Sequence, residues 1–322
     1  MTRHTSQIRR QSLKALALAA LGTCALAPVA LAQGAFPNKA ITLMVTYPPG
    51  GGADAMARLI APKMGEALGQ AVIIENKPGA SGQIGASAVA KAAPDGYTLM
   101  LDASSFSANP ALYPKLPYDS LKAFKPIGVV ALFPNVVLVN ANFPAKNIAE
   151  LTAAARQTKD AVSYASSGNG SAQHLAGALF ESAAKVDMVH VPYKGGGPAT
   201  ADVVAGQIEA AVINAPPLLP FIQSGKLRVL AVIQSERSPL FPQVPTFKEA
   251  TGIEGIYAPA WFALSTSSRV PVDVRVRLED ELRRALDDPG VKQRLIKLGI
   301  DVVSLGSARM AKIITSESSY NT

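Results

Sequence analysis

The run Ala40-Ile41-Thr42-Leu43-Met44-Val45-Thr46-Tyr47-Pro48-Pro49-Gly50-Gly51-Gly52-Ala53-Asp54 sets the architecture. Its first eight residues are apolar or β-branched and read as a strand. Two prolines and three glycines then break it. Beyond them Met56, Leu59, Ile60, Met64 and Leu68 recur at i, i+3, i+4 spacing, the period of a helix with one buried face. Asp54 stands where a helix N-cap is expected. A strand that ends in glycines and opens directly into a helix is the entry of a βαβ unit. Working outward, residues 71–75 form the next strand, and Asn76-Lys77-Pro78-Gly79 turns the chain. Residues 84–92 form a helix of small residues, Pro94-Asp95-Gly96 turns again, and residues 97–101 form a third strand. The βαβαβ order predicts a parallel sheet flanked by helices.

The middle of the chain repeats the design. Residues 128–139 are a long apolar strand region with a bend expected at Phe133-Pro134. Helices are expected over residues 148–158, 173–184 and 199–205, and strands over 161–165, 188–192, 209–213 and 229–233. Near the end, residues 261–265 read as a strand and residues 272–286 and 289–298 as helices.

Three strand-to-helix junctions share one chemistry: residues 48–54, 166–171 and 193–197. Each places glycines between a strand end and a helix start. Glycine lets the backbone turn at positive φ and lets a ligand approach the amides. A helix N-terminus presents unpaired N–H groups at the positive end of its dipole. Together they can bind an anion without a charged side chain. Each loop taken alone is equally well a tight turn, but three of them in one chain point to a shared anion cradle. The first loop is not a P-loop, because no Gly-Lys-Ser/Thr ends it, and it lacks the G-x-G-x-x-G dinucleotide spacing.

Other chemistries lack their signatures. Beyond the N-terminal segment the histidines are His174 and His190, so no ligand cluster announces a metal or another cofactor. Ser166 and Ser167 do not lie in G-x-S-x-G. His174, one turn into its helix, can reach a bound carboxylate or hold the preceding loop; His190, in an apolar strand, reads as structural. Tyr47, Tyr193 and Trp261 read first as core or lobe-interface residues, with Tyr193 beside its loop the best placed for ligand contact.

The N-terminus carries Arg3, Arg9, Arg10 and Lys14, then a mostly apolar stretch ending in Val29-Ala30-Leu31-Ala32. A basic start, an apolar middle and an A-x-A end predict a secretory signal peptide over residues 1–32, cleaved after Ala32, with export to the periplasm. The competing reading, a membrane anchor, is interrupted by Gly22, Thr23 and Pro28. Cys24, the single cysteine, sits in a weak lipoprotein-like box and leaves a tethered form as an alternative. The full chain of 322 residues has a net charge of +8, but four of its 31 basic residues and none of its 23 acids lie in this segment. The remainder therefore balances 27 basic against 23 acidic residues, +4, with no basic stripe and few aromatics. That argues against a nucleic-acid partner and suits attraction of small anions. A remainder of this size exceeds what one core holds well, so two lobes are expected.

The resemblance becomes specific in Val45-Thr46-Tyr47-Pro48-Pro49-Gly50-Gly51-Gly52-Ala53-Asp54, Glu75-Asn76-Lys77-Pro78-Gly79-Ala80-Ser81-Gly82 and Pro94-Asp95-Gly96-Tyr97-Thr98-Leu99. It continues in Asn109-Pro110-Ala111-Leu112-Tyr113, in Tyr164-Ala165-Ser166-Ser167-Gly168-Asn169-Gly170-Ser171-Ala172-Gln173-His174, and in Val191-Pro192-Tyr193-Lys194-Gly195-Gly196-Gly197-Pro198-Ala199. Each motif is weak alone, but the ordered set resembles the Bug receptors, the extracytoplasmic solute-binding proteins of tripartite tricarboxylate transporters.

The resemblance implies an α/β, two-lobed, periplasmic-binding-protein-like fold of the Venus-flytrap kind, each lobe a mostly parallel sheet flanked by helices. Residues 33–134 with 255–322 would form lobe 1, and residues 135–254 lobe 2. It implies that loop amides, with ordered waters, hold a carboxylate, with family roles at Gly51, Ala53, Asp54, Ser166, Gly170, Ser171 and His174. Ser104, Asn109, Tyr193, Lys194, Gly195 and Asn214 are further candidates, with Tyr47 beside them. It also implies a monomeric receptor for a small carboxylate that works with membrane transporter subunits and needs no cofactor. A periplasmic hydrolase using Ser166 or Ser167 with His174, and a sensor subunit, are the competing functions. One departure stands out: after Leu305 the family usually continues in a longer helix with acidic and aromatic residues, whereas here Ser316-Glu317-Ser318-Ser319-Tyr320-Asn321-Thr322 is short and polar.

Overall fold

The computed structural model describes residues 36–157, 161–254, 260–300 and 305–320. The signal-peptide segment and Cys24 lie outside the described residues. The first lobe opens with β1 (Ile41–Val45), α1 (Gly52–Leu68), β2 (Val72–Asn76), α2 (Gln83–Lys91), β3 (Thr98–Ala103), α3 (Ser105–Leu112) and β4 (Phe124–Phe133). The second holds β5 (Asn135–Asn140), α4 (Ile148–Gln157), β6 (Ser163–Ser166), α5 (Ala172–Ala184), β7 (Val189–Pro192), α6 (Gly196–Val204), β8 (Ala210–Asn214), α7 (Leu219–Gln223), β9 (Leu227–Ile233) and α8 (Phe247–Thr251). The chain then returns to the first sheet with β10 (Ala260–Ser267), α9 (Val272–Asp287), α10 (Pro289–Lys297), β11 (Leu305–Gly306) and α11 (Ser307–Tyr320).

The two sheets have the orders β11-β4-β10-β3-β1-β2 and β7-β6-β8-β5-β9. The βαβ units yield parallel pairs: β1 with β2 and β3, and β6 with β7 and β8. Strands that enter from the other lobe run antiparallel: β10 against β3 and β4, and β5 against β8 and β9. The architecture of two helix-flanked α/β sheets is therefore as expected, but each sheet is mixed. The parallel share is smaller because each lobe takes a strand that arrives straight from its neighbour. The strand region expected to bend at Phe133-Pro134 is in fact two strands in different sheets, with only Pro134 between them. Proline has no N–H to donate to a ladder, so pairing stops there.

Strand alternation divides the second core. Val137, Val139, Ala210 and Val212 face a cluster with Leu151, Phe180 and Phe247, while Val136, Leu138, Ala211 and Ile213 face one with Val203, Leu218 and Phe241. All six residues of β5 are buried, as expected of a strand covered on both faces. In the first lobe Met44, Met100, Val129 and Trp261 pack with Val89, Phe106, Met310 and Ile314, so α11 closes this core despite its polar end. Helix α3 was not predicted. Pro110 lies inside it, and its residues show no apolar stripe; packing of Phe106 on Tyr118 and Phe124 holds it in place.

Candidate functional site

The carboxyl ends of the strands in both sheets converge on one cleft. Its lining comes from Tyr47, Gly51, Gly52 and Ala53 between β1 and α1, and from Ala103, Ser104 and Ser105 between β3 and α3. The second lobe contributes Ser167, Ser171 and Gln173 around the start of α5, Gly196 at the start of α6, and Asn214 at the end of β8. Ala260 and Phe262 of β10 form the remaining wall. Four helix N-termini thus point at one space, one more than the glycine loops predicted; the addition is α3. None of the lining residues carries a charged side chain.

The N-caps of α1, α3 and α6 are Gly51, Ser104 and Gly195, and none makes a side-chain cap bond. Their first N–H groups stay unpaired within the helix, at the positive ends of three dipoles. Only α5 is capped, by Ser171 Oγ accepting from His174 N–H at 3.1 Å. Ser167 Oγ, by contrast, is buried with no hydrogen-bond partner among the described residues. An unpartnered buried hydroxyl is costly unless a ligand or water satisfies it.

The lobes are closed on each other. Ser81 Oγ donates across the gap to the Asn169 carbonyl at 2.8 Å. A Cβ on Gly197 would lie 2.4 Å from the Pro49 carbonyl oxygen, so only glycine permits this approach of the two backbones. The cavity left inside is narrow: about 20 Å³ is open to the centre of a water molecule. A larger concavity of about 780 Å³, between the 110–121 segment and α11, shares no residue with the cleft.

Of the predicted site residues, Tyr47, Gly51, Ala53, Ser104, Ser171 and Asn214 line the cleft. The others surround it and hold its loops. Asp54 is not the N-cap expected from sequence: α1 starts at Gly52, and Asp54 sits inside its first turn. From there its carboxylate accepts from Gly50 N–H (3.1 Å), Arg58 Nε (2.9 Å) and Asn76 Nδ2 (3.1 Å). Burial works to raise its pKa, but these donors outweigh it and hold the carboxyl below the usual range. Asn109 Nδ2 donates to the Ser81 carbonyl at 3.0 Å. Tyr193 donates its hydroxyl to Asp202 at 2.5 Å, and burial together with that carboxylate pushes it up to about 12. Lys194 is exposed, and Gly195 is buried with its Cα facing Pro48.

Ser166, Gly170 and His174 form a network behind the cleft. Gly170 N–H donates to His174 Nδ1 at 3.1 Å, so the histidine holds the loop backbone, one of its two expected roles. Ser166 Oγ pairs not with His174 but with His190 Nε2, at 2.7 Å. Tyr47 shares a hydrogen bond with Ser105, and burial and nearby Asp102 push its pKa up, keeping it a neutral phenol. Asp102 itself is buried, with Oδ1 bound by Thr46 Oγ1 (2.7 Å) and Ala103 N–H (2.8 Å) and Oδ2 without a partner among the described residues. Burial without a cation raises its pKa to about 6.

Sequence reasoning gave no ligand role to Gly52, Ser105, Gln173 and Gly196, and considered Ser167 only as a hydrolase nucleophile, although all five line the cleft. It also missed Ala103, Ala260 and Phe262, which carry no local signal. Gln173 Nε2 (2.9 Å) and Asn214 Nδ2 (2.8 Å) both donate to Asn135 Oδ1, joining the cleft floor to the first residue of the crossing strand.

Residues 56–321 match the family model described as tripartite tricarboxylate transporter family receptor. The chain belongs to that family. It is 35% identical over 266 residues to Protein BugT of Bordetella pertussis, covering 82% of this chain and 81% of that one. The periplasmic binding protein BugD superposes with a TM-score of 0.85 at 31% identity, over 89% of this chain and 96% of that chain. MatC from Rhodopseudomonas palustris, solved with bound malate, superposes with a TM-score of 0.84 at 34% identity, over 89% and 98%.

Proposed function

We propose that this protein is the extracytoplasmic receptor that captures a small carboxylate in the cleft between its lobes and presents it to the membrane subunits of a tripartite transporter. The observation that carries the reading is the cleft itself: uncapped helix N-termini from both lobes meet there with no charged side chain in the lining. Such a site favours an anion held by amides and hydroxyls. The malate bound in MatC fits this chemistry. Cleavage after Ala32, residence in the periplasm as a monomer, and ligand roles for the predicted loop residues belong to the same reading. So does the absence of turnover. Ser166 is fully buried against His190, a poor position for a hydrolytic nucleophile. The test is a thermal-shift screen against malate and other mono- and dicarboxylates, with amines and neutral sugars as controls. A ligand of the native state raises Tm. Carboxylates should raise it and the controls should not; a set of acids that all leave Tm unmoved would overturn the reading.

A further inference from the structure

We propose that His174 and His190 form a neutral stacked imidazole latch that holds the 166–171 loop in its closed, ligand-ready shape, and that proton uptake by this pair releases the loop. The two rings stack with centroids 4.1 Å apart and planes 15° apart. Each ring grips the loop at a different point. His174 Nδ1 accepts from Gly170 N–H, so the hydrogen of this ring resides on Nε2. Ser166 Oγ accepts from Gly168 N–H at 3.1 Å, lies 3.4 Å from the Gly168 carbonyl, and shares a hydrogen bond with His190 Nε2 at 2.7 Å. The gripped loop carries Ser167 and Ser171 into the cleft and meets the first lobe. Gly170, at φ +72, stands where a Cβ would lie 2.4 Å from Leu112.

Protonation defeats the His174 grip and sets the stacked rings against each other. A hydrogen on His174 Nδ1 would face the Gly170 N–H, donor against donor. A second proton would place like charges in one stack. Burial pushes both rings below the ordinary histidine range, and His174 pushes His190 further, to about 4. From α5, the facing charge is Glu181, which opposes the shift of His174. Its carboxylate is held by Tyr164 OH (3.2 Å) and Met188 N–H (2.8 Å). From β6, Tyr164 lies tilted against His190, its phenol kept neutral by burial and by Glu181. From the first lobe, Leu112 and Ala108 face Gly170 and carry no charge. At this loop acid therefore acts on the imidazoles as a coupled pair, whereas Asp102, on the first-lobe side of the cleft, takes up its proton near 6 in the native chain and the variant alike.

The latch rests on the carboxylate reading only where ligand release is concerned, so two readouts are needed. In the ligand-free protein, NMR follows the imidazole resonances and the Gly170 amide from about pH 7.5 to about pH 3.5, a window that spans the ordinary histidine value and the depressed value of His190. Both rings should titrate below the ordinary value, and the Gly170 amide should move with His174. His174→Asn supplies an oxygen acceptor near the position of Nδ1 but cannot be protonated. In this variant the Gly170 amide should stay still over the same range, and His190 should titrate closer to its ordinary value. With malate as probe, affinity corrected for the ligand's own protonation should fall about tenfold across that range in the native chain and clearly less in His174→Asn, as linkage requires. A Gly170 amide that stays still while the rings titrate overturns the latch, as does an identical pH dependence in both proteins. If His174→Asn fails to fold, the native titration alone decides. Failure of malate and every other acid to bind would instead count against the carboxylate reading, and the ligand-free Gly170 titration would still judge the latch.

Discussion

Helix α8 begins at Thr246, whose hydroxyl accepts from Glu249 N–H while the Glu249 carboxylate accepts from Thr246 N–H. Helix α10 begins at Asp288, which accepts from Val291 N–H at 3.0 Å. Helices α1, α3 and α6 begin at Gly51, Ser104 and Gly195 with no such bond. The first group spends its N–H groups on its own side chains; the second holds them ready at a cleft. Uncapped starts elsewhere in the molecule are satisfied differently. Helices α2 and α7 continue directly from 3₁₀ turns, and α9 opens with an exposed Val272, where water can serve its amides. An uncapped helix start thus marks function only where several converge and the walls carry no competing charge.

The strongest way to break this contrast is Gly197→Ala. Alanine suits a helix better than glycine, so folding should be intact. Its methyl would meet the Pro49 carbonyl and hold the lobes apart. Affinity for a bound carboxylate should fall about 100-fold, near 3 kcal/mol. Calorimetry that finds it within a few-fold of the native chain would mean that closure does not depend on this contact.

Asp102 lies two residues before the N-cap of α3, a buried carboxyl beside a cleft built for anions. Its pKa is raised from 3.8 to about 6 in the folded state. The native state therefore holds this proton more tightly than the unfolded chain does. Its burial costs nothing below the unfolded value, and the cost grows as pH rises towards 6 and persists above it. Asp102→Asn should accordingly stabilise the protein near pH 8 by up to about 3 kcal/mol, with the gain vanishing near pH 4. Denaturant melts at the two pH values check the sign.

Ser171 belongs to both classes, because it caps α5 and also lines the cleft. Ser171→Ala should cost about 1 kcal/mol of stability through the lost cap and should also weaken carboxylate binding. Thr246→Ala is the matching control. It should cost about 1 kcal/mol as well, with no change in affinity. Equal affinity losses for the two would erase the distinction between caps that serve the helix and groups that serve the cleft.

Much of the fold was legible in short windows. The periodic apolar residues of α1, the strand before it and the glycines between them are neighbours in sequence, and their pattern reflects local geometry. Helix α3 was not legible, because Ser105, Asn109 and Pro110 favour no helix by themselves and the aromatic contacts of Phe106 are made elsewhere in the chain. Within the site, the loops were legible but the roles of their side chains were not. His174 could be placed beside its loop from spacing, yet nothing local indicated that it would accept from Gly170 while His190 took Ser166.

Composition, period and glycine placement were enough to specify two helix-flanked sheets and a set of anion-ready loops, since each of these is a short-range consequence of backbone sterics and burial. Only the closed tertiary structure decided which loops share a cleft. Phe262 and Ala260 reach it because the chain crosses back late from the second lobe, Pro134 having carried it out. The stacking of two histidines and the approach of Gly197 to Pro49 likewise depend on segments distant in sequence. Such contacts obey no period, because they are set by how finished elements pack within a lobe and how two finished lobes meet.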